Sequence, residues 1–391
     1  MKSVALHQYI FGYELPDTVL VITPEGKVFV LATKKKIEFL SPAQDQIPDG
    51  GGITDITLLA RNKADGNAEN FATLLKEARV ADTDENGSKL KVGIILKEWS
   101  SGLNVGPILS GWQKELDGHD NVELVDVTPG LGLVMSVKDT TELDLMRKSS
   151  VLSNKVLKHG VVPKIESIID SEKSVTHEQL SAEIESVIED PTKIKLKIDK
   201  DEVQTCYFPI VQSGGQYDLK VSAQSNDKTL KYDIITVSLG ASYQFYCSNI
   251  ARTFLIDPPK EVSKTYETLL SVQEACLKAM QPGNHLRDVY LAAVDYLKTE
   301  GREDLIKKLP KNIGFSIGLD FRDGNLVLNA KNSVIIREGM IFNLAVGFNN
   351  VELRASAKSS ANPKSAVSAP WGCSYFDYFL LCSPYFPASL R

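Results

Sequence analysis

Cysteine is scarce in this sequence. Only five cysteines occur in 391 residues, and no two of them form a CxxC pair: Cys206, Cys247, Cys276, Cys373 and Cys382. This spacing excludes both the disulfide framework of a small secreted domain and the ligand pattern of a zinc finger. The five histidines are equally dispersed, and no HExxH motif occurs. We therefore expect reduced thiols and an intracellular protein.

Long apolar runs and an excess of basic charge are also missing. The N-terminal stretch has no signal-peptide form, and the apolar run YFLL near the end is far too short to span a bilayer. The formal net charge is −6, from 44 basic and 50 acidic residues. This balance argues against a dedicated DNA-binding surface and is compatible with basic partners. We expect neither membrane insertion nor sequence-specific DNA binding.

The length and the order of the patterns predict two folded domains followed by a tail. Residues 1–137 alternate strands and helices, beginning with the hairpin DTVLVITPEGKVFVLATKKK, and predict a small α/β domain. Residues 138–349 alternate long helices with strand-like runs at 205–212, 232–240, 245–256, 316–328 and 339–347, and predict an α+β domain with a mixed sheet. Residues 350–391 are rich in Ser, Ala and Pro and then in aromatics, and predict a divergent, disordered tail.

Local signals place several elements in the second domain. Asp139 with Glu142, and Thr176 with Gln179, are spaced as capping pairs that open two helices, and a third helix is predicted from about Pro259. His177 and His285 lie near helix starts, where we expect surface positions. The alternating KIKLKIDK predicts a solvated edge strand with Lys193, Lys195 and Lys197 on its charged side, and phosphate binding by these lysines is the alternative. Separately, Lys34–Lys36 predict a solvated strand end.

One hairpin carries small neutral side chains where a metal site would need carboxylates. In VSLGASYQFYCSNIARTFLID, Ser238 and Asn249 stand near the two ends of the turn region. Cys247 lies in the same run, but no base is evident beside it, and a buried structural thiol is the favoured interpretation over a nucleophile.

The second domain resembles the pita-bread fold of aminopeptidase P, creatinase and methionine aminopeptidase. The resemblance rests on PGNHLRDVY, NIGFSIGLDFRDG and IIREGMIFNLAVGF. Active members hold two divalent metals with two Asp, one His and two Glu, because paired metals need bridging carboxylates and together generate a hydroxide. The resemblance therefore implies an α/β domain followed by a pita-bread α+β domain, as in aminopeptidase P and creatinase.

At the positions that match these ligands, the sequence has lost its charge. The two Asp positions are Ser238 and Asn249, the His position is Phe315, the first Glu position is Ala345, and the last Glu has no clear counterpart. Two substrate-contacting His positions fall near Val221 and at Arg322. Neutral oxygens bind divalent ions weakly without carboxylates, and phenyl and methyl groups do not ligate. We expect no metal, no cofactor and no peptidase activity.

Among pita-bread proteins, the chain is similar to the N-terminal domain of the large subunit of FACT, a histone chaperone complex. ALHQYIFGYELPDTVLVI, CYFPIVQSGGQYDLK, YCSNIARTFLID and GFSIGLDFRDGNLVLN carry this resemblance, which covers about Ala5 to Phe348. It implies a nuclear, chromatin-associated module that binds histones during transcription, replication and repair, with H3–H4 first and the dimer of histones 2A and 2B second. It also implies an HMG-box small subunit that is contacted through domains absent here, and a first domain that lacks its first elements.

Two functions remain open. A peptide-binding cleft without metals would be lined by neutral and aromatic residues: Gly214, Gly215, Tyr243, Tyr246, Phe315 and Arg322. The alternative is a residual peptidase or an enzyme that works without metal, as creatinase does. It would need an acid or base supplied by Asp233, Asp320 or Asp323.

Overall fold

The computed structural model describes residues 2–47, 52–79, 89–101, 106–215, 217–218, 220, 222–352 and 372–382, the last range and residue 352 by their backbone alone. The chain forms two compact units, Met1–Leu131 and Gly132–Arg391. The domain limits at 137 and 349 drawn from the sequence stay a prediction. None of the helices in the described ranges is long and apolar enough to cross a membrane.

The first unit alternates strands and helices, as predicted. Its elements are α1 Lys2–Phe11, β1 Val19–Ile22, β2 Lys27–Ala32, α2 Lys34–Leu40, β3 Asp55–Ala60, α3 Ala68–Glu77, β4 Leu90–Ile94, α4 Leu96–Ser101, α5 Pro107–Asp117 and β5 Val122–Asp126, and α6 Thr128–Ser136 follows. The predicted hairpin is confirmed, since β1 and β2 pair antiparallel, and β3 adds in parallel to β2. Strands β4 and β5 form a separate parallel pair.

Apolar side chains and one carboxylate fix the first unit. The ring centroids of Phe71 on α3 and Trp112 on α5 lie 6.0 Å apart inside its core. Helix α5 begins with Pro107, and the Asp17 carboxylate accepts hydrogen bonds from the N–H groups of Ile108 and Leu109 at 3.0 and 3.3 Å. An acidic group at a helix N-terminus satisfies free N–H donors and complements the helix dipole. The contact ties α5 to the loop before β1.

The second unit packs helices against one large sheet. Its further elements are α7 Thr140–Lys155, α8 Val162–Asp170, α9 His177–Glu189, β6 Val203–Gln212, β7 Ile234–Tyr243, β8 Tyr246–Leu255, α10 Lys260–Ala279, α11 Leu286–Thr299, α12 Glu303–Ile306, β9 Gly314–Ser316, β10 Ile341–Glu352 and β11 Gly372–Cys382. Both predicted capping pairs are confirmed as reciprocal capping boxes, at Asp139–Glu142 and Thr176–Gln179.

The sheet has six strands in the order β6-β7-β8-β11-β10-β9. Every neighbouring pair is antiparallel, so the predicted mixed sheet is wrong for the described strands. The tightest connection joins β7 to β8 through Gln244 and Phe245, whose φ angles of 44° and 69° are those of a two-residue hairpin turn. Such short connections return the chain antiparallel, whereas parallel neighbours need long crossovers.

One face of this sheet is covered by helices. Val237 and Leu239 of β7 and Ile250 of β8 pack in a core with α7, α8 and α9. Phe342 and Leu344 of β10 pack in a second core with α10 and α11. Because side chains alternate along a strand, the residues between these positions point to the other face, where the site lies.

Three predicted strand assignments are wrong. Residues 34–36 open helix α2, which buries Leu40 and leaves Lys34 and Lys35 exposed. In KIKLKIDK, Pro191–Ile194 form a 3₁₀ turn capped by Asp190, and Lys195 has a φ of 58°, which no strand tolerates. Its polarity was predicted correctly, since the lysines are exposed and the apolar residues pack on the core: Ile194, Leu196 and Ile198. Of the run 316–328, only Ser316 lies in a strand.

The predicted disordered tail is wrong for two segments. Residues 350–352 continue β10, and Gly372–Cys382 form β11, which inserts between β8 and β10. The second segment, GCSYFDYFLLC, is rich in aromatic residues that favour strands. Pairing with two neighbours satisfies backbone groups that an isolated segment would expose.

Candidate functional site

The register of the sheet brings the predicted metal-ligand positions to one face. Ser238 pairs with Ala251, Ala251 with residue 378, and residue 378 with Ala345. Residues directly opposite each other on adjacent strands point to the same side, so Ser238 and Ala345 share a face. Asn249 pairs with Gly240, two positions from Ser238, and therefore lies on that face as well.

Phe315 joins the same face through β9. It pairs with Asn343, two positions before Ala345 on β10. Phe315 and Ala345 are buried, and so is Asn249 with 2% of its surface exposed. The structure therefore places all four predicted positions on the face that the helices leave uncovered.

A tyrosine that the sequence analysis missed joins two of these positions. The phenolic hydroxyl of Tyr207 donates a hydrogen bond to Oδ1 of Asn249 at 2.5 Å, and Oγ of Ser238 lies 2.5 Å from the same phenolic oxygen. An amide oxygen only accepts, so the phenol proton goes to Asn249 and the Ser238 hydroxyl donates to Tyr207. The two positions that the resemblance matches to carboxylate ligands are thus linked by a neutral hydrogen-bond chain.

Local irregularities of β6 determine the direction in which the Tyr207 side chain points. The β6–β7 register shifts on both sides of Tyr207, between Thr205 and Tyr207 and again between Tyr207 and Ile210. Bulges bend a strand and redirect its side chains. Tyr207 lies opposite Gly240, whose missing side chain leaves room for the ring.

Aromatic rings continue from Tyr207 across the site. The Tyr207 and Phe321 centroids are 5.2 Å apart at an edge-on angle of 64°, and Phe321 and Phe315 are 5.7 Å apart. The guanidinium of the exposed Arg322 lies 5.5 Å from the centroid of the Phe315 ring. Such ring pairs and cation–π contacts are favourable, and they fill with apolar groups the space around Ser238 and Asn249.

The donor set does not fit a pair of divalent metals. The positions that match the family's ligands hold a hydroxyl, an amide, a phenyl and a methyl group, and the first two already bond to Tyr207. Across the described ranges, no three His, Cys, Asp or Glu side chains come together as a metal-binding group. Without carboxylates or imidazole, these groups offer neither the charge nor the ligand strength that divalent metals require.

Two of the carboxylates considered for a metal-independent enzyme have structural partners. Asp233 accepts hydrogen bonds from the N–H groups of Gly214 and Ile234. Asp323 is buried, with 6% of its surface exposed, and accepts from the N–H of Asn325 at 2.9 Å. These hydrogen bonds order the loops in which the two carboxylates lie.

Two predicted cleft residues, Tyr243 and Tyr246, lie at the tip of the β7–β8 hairpin. Tyr243 and Tyr246 pair with each other across the hairpin and are out of phase with Ser238 and Asn249. The Tyr246 hydroxyl donates to Oε1 of Glu142 on α7 at 3.0 Å. The Tyr243 ring lies under the ammonium of Lys148, also on α7, at 4.9 Å. Strand alternation places both side chains out of phase with Ser238 and Asn249, whereas Tyr246 belongs to the same buried cluster as Phe315. That the two rings line a cleft with Phe315 stays a prediction.

The predicted Gly214–Gly215 turn is present, and the residue before it, Ser213, contacts His177, which was predicted to lie at the surface. Gly214 and Gly215 have φ angles of 74° and 83°, and Val221 lies outside the described residues. His177 is buried with 2% of its surface exposed, so the predicted surface position is wrong. Its ring nitrogens lie 2.7 Å from Oγ of Ser213 and 2.7 Å from Oδ1 of Asn226.

This Ser–His–Asn arrangement has hydrogen bonds like those of a catalytic triad but lacks an available nucleophile. Because Asn226 Oδ1 only accepts, Nδ1 of His177 carries the proton, and Ser213 donates to Nε2. Ser213 is buried and its Oγ also accepts from the N–H of Lys231 at 2.7 Å. The network therefore fastens the start of α9 to the loop that follows β6.

The cysteines near the site are sheltered thiols. Cys247 is buried, in agreement with the predicted structural role. The neighbouring thiol of Cys247, followed by burial, raises the pKa of the Cys206 thiol well above its usual range. A thiol held protonated is a poor nucleophile.

Comparison with known proteins identifies the family. The profile of metallopeptidase family M24 matches residues 144–367, and that of the FACT complex subunit SPT16 N-terminal lobe domain matches residues 1–130. FACT complex subunit SPT16 of Zea mays is 39% identical over 363 residues, which is 92% of this chain and 33% of the relative. The Dictyostelium discoideum subunit is 36% identical over 352 residues, 90% of this chain and 32% of that protein.

Solved structures agree with these matches. The N-terminal domain of FACT complex subunit SPT16 from Cicer arietinum superposes with a TM-score of 0.84 at 35% identity, over 98% of this chain and 85% of that one. An X-Pro aminopeptidase from Thermotoga maritima has a TM-score of 0.64 at 16% identity over 98% of this chain and 90% of that one, which shows a shared fold. The chain spans about a third of the length of the curated relatives it matches. The resemblance inferred from sequence is thus confirmed: the chain belongs to the family of SPT16 N-terminal domains of the FACT complex, built on the M24 peptidase fold.

Proposed function

We propose that this chain is a non-catalytic protein-binding module of a FACT-type large subunit, with histones as its partners. H3–H4 is the first candidate and the dimer of histones 2A and 2B the second. The module would act on chromatin in the nucleus during transcription, replication and repair. An HMG-box small subunit would join through parts of the protein outside this chain.

The Tyr207 contacts are the observation that carries this proposal. A phenol is bonded to both Ser238 and Asn249, the two positions at which the resemblance predicts carboxylate ligands, and both lie on strands of the six-stranded sheet. A fold that held an extended peptide for cleavage can bind one without cutting it once the metal ligands are gone. Family membership supports the same function, because the relatives are named as FACT subunits.

The chemistry of the uncovered face favours contacts with apolar groups and peptide backbone. Phe321 is partly exposed, and the exposed guanidinium of Arg322 is held over the buried ring of Phe315. Guanidinium groups donate several hydrogen bonds in fixed directions, which suits carbonyl and carboxylate acceptors. We propose that Arg322 and the Gly214–Gly215 turn contact the partner's chain.

A titration with two controls tests this function. Fluorescently labelled H3–H4 is titrated with the chain at physiological ionic strength, and the dimer of histones 2A and 2B is titrated in parallel. We expect saturable binding that weakens about tenfold or more in Arg322→Ala, a loss comparable to one charge-assisted hydrogen bond. Arg337→Ala removes another exposed arginine of the same unit and is expected to bind normally.

The same preparation tests the enzymatic alternative. The chain is incubated with Xaa-Pro peptides and with creatine, with and without Mn²⁺, and products are measured. We expect no turnover under either condition. Turnover would overturn the non-catalytic assignment, and absence of binding to either histone pair would overturn the proposed partners.

A further inference from the structure

We infer that Tyr207 is a built-in occupant of the former metal centre. Its phenolic oxygen lies 2.5 Å from Ser238 Oγ and 2.5 Å from Asn249 Oδ1, and so closes the centre both to divalent cations and to a peptide carbonyl. This inference does not depend on histone binding, because it concerns what fills the site in the chain itself.

The hydrogen-bond directions explain why a phenol suits this position. Ser238 donates one proton and Asn249 accepts one, so the group between them must both accept and donate. A phenolic hydroxyl does both, whereas a metal ion offers neither. Restoring acidic residues at Ser238 and Asn249 alone would therefore leave the position filled.

The Tyr207 ring is held by packing as well as by its hydrogen bonds. Register shifts of β6 lie on both sides of Tyr207, and a β-carbon on Gly240 would lie 2.5 Å from Cε1 of the ring. Phe321 packs edge-on against its other side, with centroids 5.2 Å apart. Strand shape, a glycine opposite and an aromatic neighbour together fix one position for the ring.

Chemical rescue provides a direct test. Tyr207→Ala removes the phenol, and p-cresol has the size and hydroxyl of the lost side chain, whereas toluene has only the size. We expect p-cresol to raise the midpoint of thermal unfolding of Tyr207→Ala and to bind about five- to tenfold more tightly than toluene, the ratio expected for one or two hydrogen bonds. The wild type is expected to show no shift.

A matched variant shows whether the effect belongs to this site. Tyr232 is exposed, and its hydroxyl donates to the carbonyl of Lys173 at 2.8 Å, so Tyr232→Ala also removes a hydrogen-bonded tyrosine. We expect no rescue of that variant. Equal shifts with toluene and p-cresol, or p-cresol shifts in the wild type, would overturn the inference.

A second measurement applies if Tyr207→Ala does not fold. Tyr207→Phe keeps the ring, and Asn249→Ala removes the acceptor. If the hydroxyl occupies the centre as described, the double variant should lose roughly 2–4 °C less in unfolding midpoint than the two single losses added together. Additive losses would show that the two side chains are not coupled, and the inference would fail.

Discussion

The ring of Tyr207 occupies the space that a side chain on Gly240 would need: a β-carbon there would lie 2.5 Å from Cε1 of the ring and 3.0 Å from Cδ1. The same β-carbon would lie 3.1 Å from Cβ of Cys206. The backbone of Gly240 is extended, so its conformation does not require glycine. Glycine is needed at this point of β7 because the Tyr207 ring on the adjacent strand leaves no room for a side chain.

We predict that Gly240→Ala destabilises the second unit by about 1–3 kcal/mol, because the added methyl group displaces the Tyr207 ring. Urea unfolding measures the change. Gly324→Ala is the control, since nothing lies within 4 Å of a β-carbon there. In a Tyr207→Ala background the Gly240→Ala change should cost clearly less, and an equal cost in both backgrounds would contradict the contact.

The buried His177 supports a second prediction. His177→Leu leaves Ser213 without its acceptor and Asn226 without its donor. Buried polar groups that lose a partner cost about 1–3 kcal/mol, so we expect a loss of stability of that size. The control is His159→Leu at an exposed position. Hydrogen exchange of the N–H groups of His177 and Glu178, which donate to Lys228 and Asn226 carbonyls, should accelerate in the first variant alone.

Tyr243 should ionise later than an ordinary tyrosine. The hydrogen bond to the Glu202 carboxylate, followed by burial, raises the pKa of Tyr243 to about 12. Because the folded-state pKa lies above the usual value of about 10, the stabilisation is fully present below pH 10 and is lost as the pH rises through 12. At pH about 11, NMR of ring-labelled tyrosine should show Tyr243 still mostly protonated.

Glu202→Gln tests the cause of that shift. Removing the carboxylate charge should bring the pKa of Tyr243 down toward the ordinary tyrosine value. Glu300→Gln, which removes the same charge from an exposed position of the same unit, is the control for net charge. If Glu202→Gln leaves the titration unchanged, the carboxylate is not its cause.

We predict that His7 makes the stability of the first unit depend on mildly acidic pH. Burial, and secondarily the charge of Lys36, lowers the pKa of His7, against an opposing effect of Glu98. The folded state thus binds the proton less readily than the unfolded state, whose pKa is about 6.5. Stability is present above pH 6.5 and falls as the pH drops below it toward the folded-state pKa.

Fluorescence of the buried Trp112 in the same unit follows this loss. We expect the unfolding midpoint of the wild type to fall between pH 7 and 5, and the His7→Phe variant to show a flatter dependence. His159→Phe, at an exposed position, should behave as the wild type. An unchanged slope in His7→Phe would exclude His7 as the titrating group.

Features that depend on near neighbours were predictable from the sequence. Asp139 and Glu142, or Thr176 and Gln179, are three residues apart, and a capping box needs no other part of the chain. His177 shows the limit of such reasoning. Its position at a helix start was predicted, but its burial was not, because Ser213 and Asn226 lie 36 and 49 residues away.

The lysine-rich segment shows a different limit. Its alternating pattern correctly separated exposed lysines from apolar residues that pack on the core. The pattern did not reveal the left-handed Lys195 or the 3₁₀ turn after Pro191, so the predicted edge strand was wrong. Alternation reports which side chains reach the core, whereas backbone conformation also depends on caps and turns.

The sequence alone predicted that Ser238, Asn249, Phe315 and Ala345 stand where the related peptidases carry charged ligands, because the identity of a residue determines which donor atoms it offers. Only the tertiary structure decided what fills the site instead. Tyr207 precedes Ser238 by 31 residues and Asn249 by 42 residues, and it contacts both because β6 is irregular on either side of it. No local sequence pattern predicts these irregularities. The groups that can ligate or form hydrogen bonds follow from the identity of each residue, but the contacts of Tyr207 with Ser238 and Asn249 depend on strand register and on the missing side chain of Gly240.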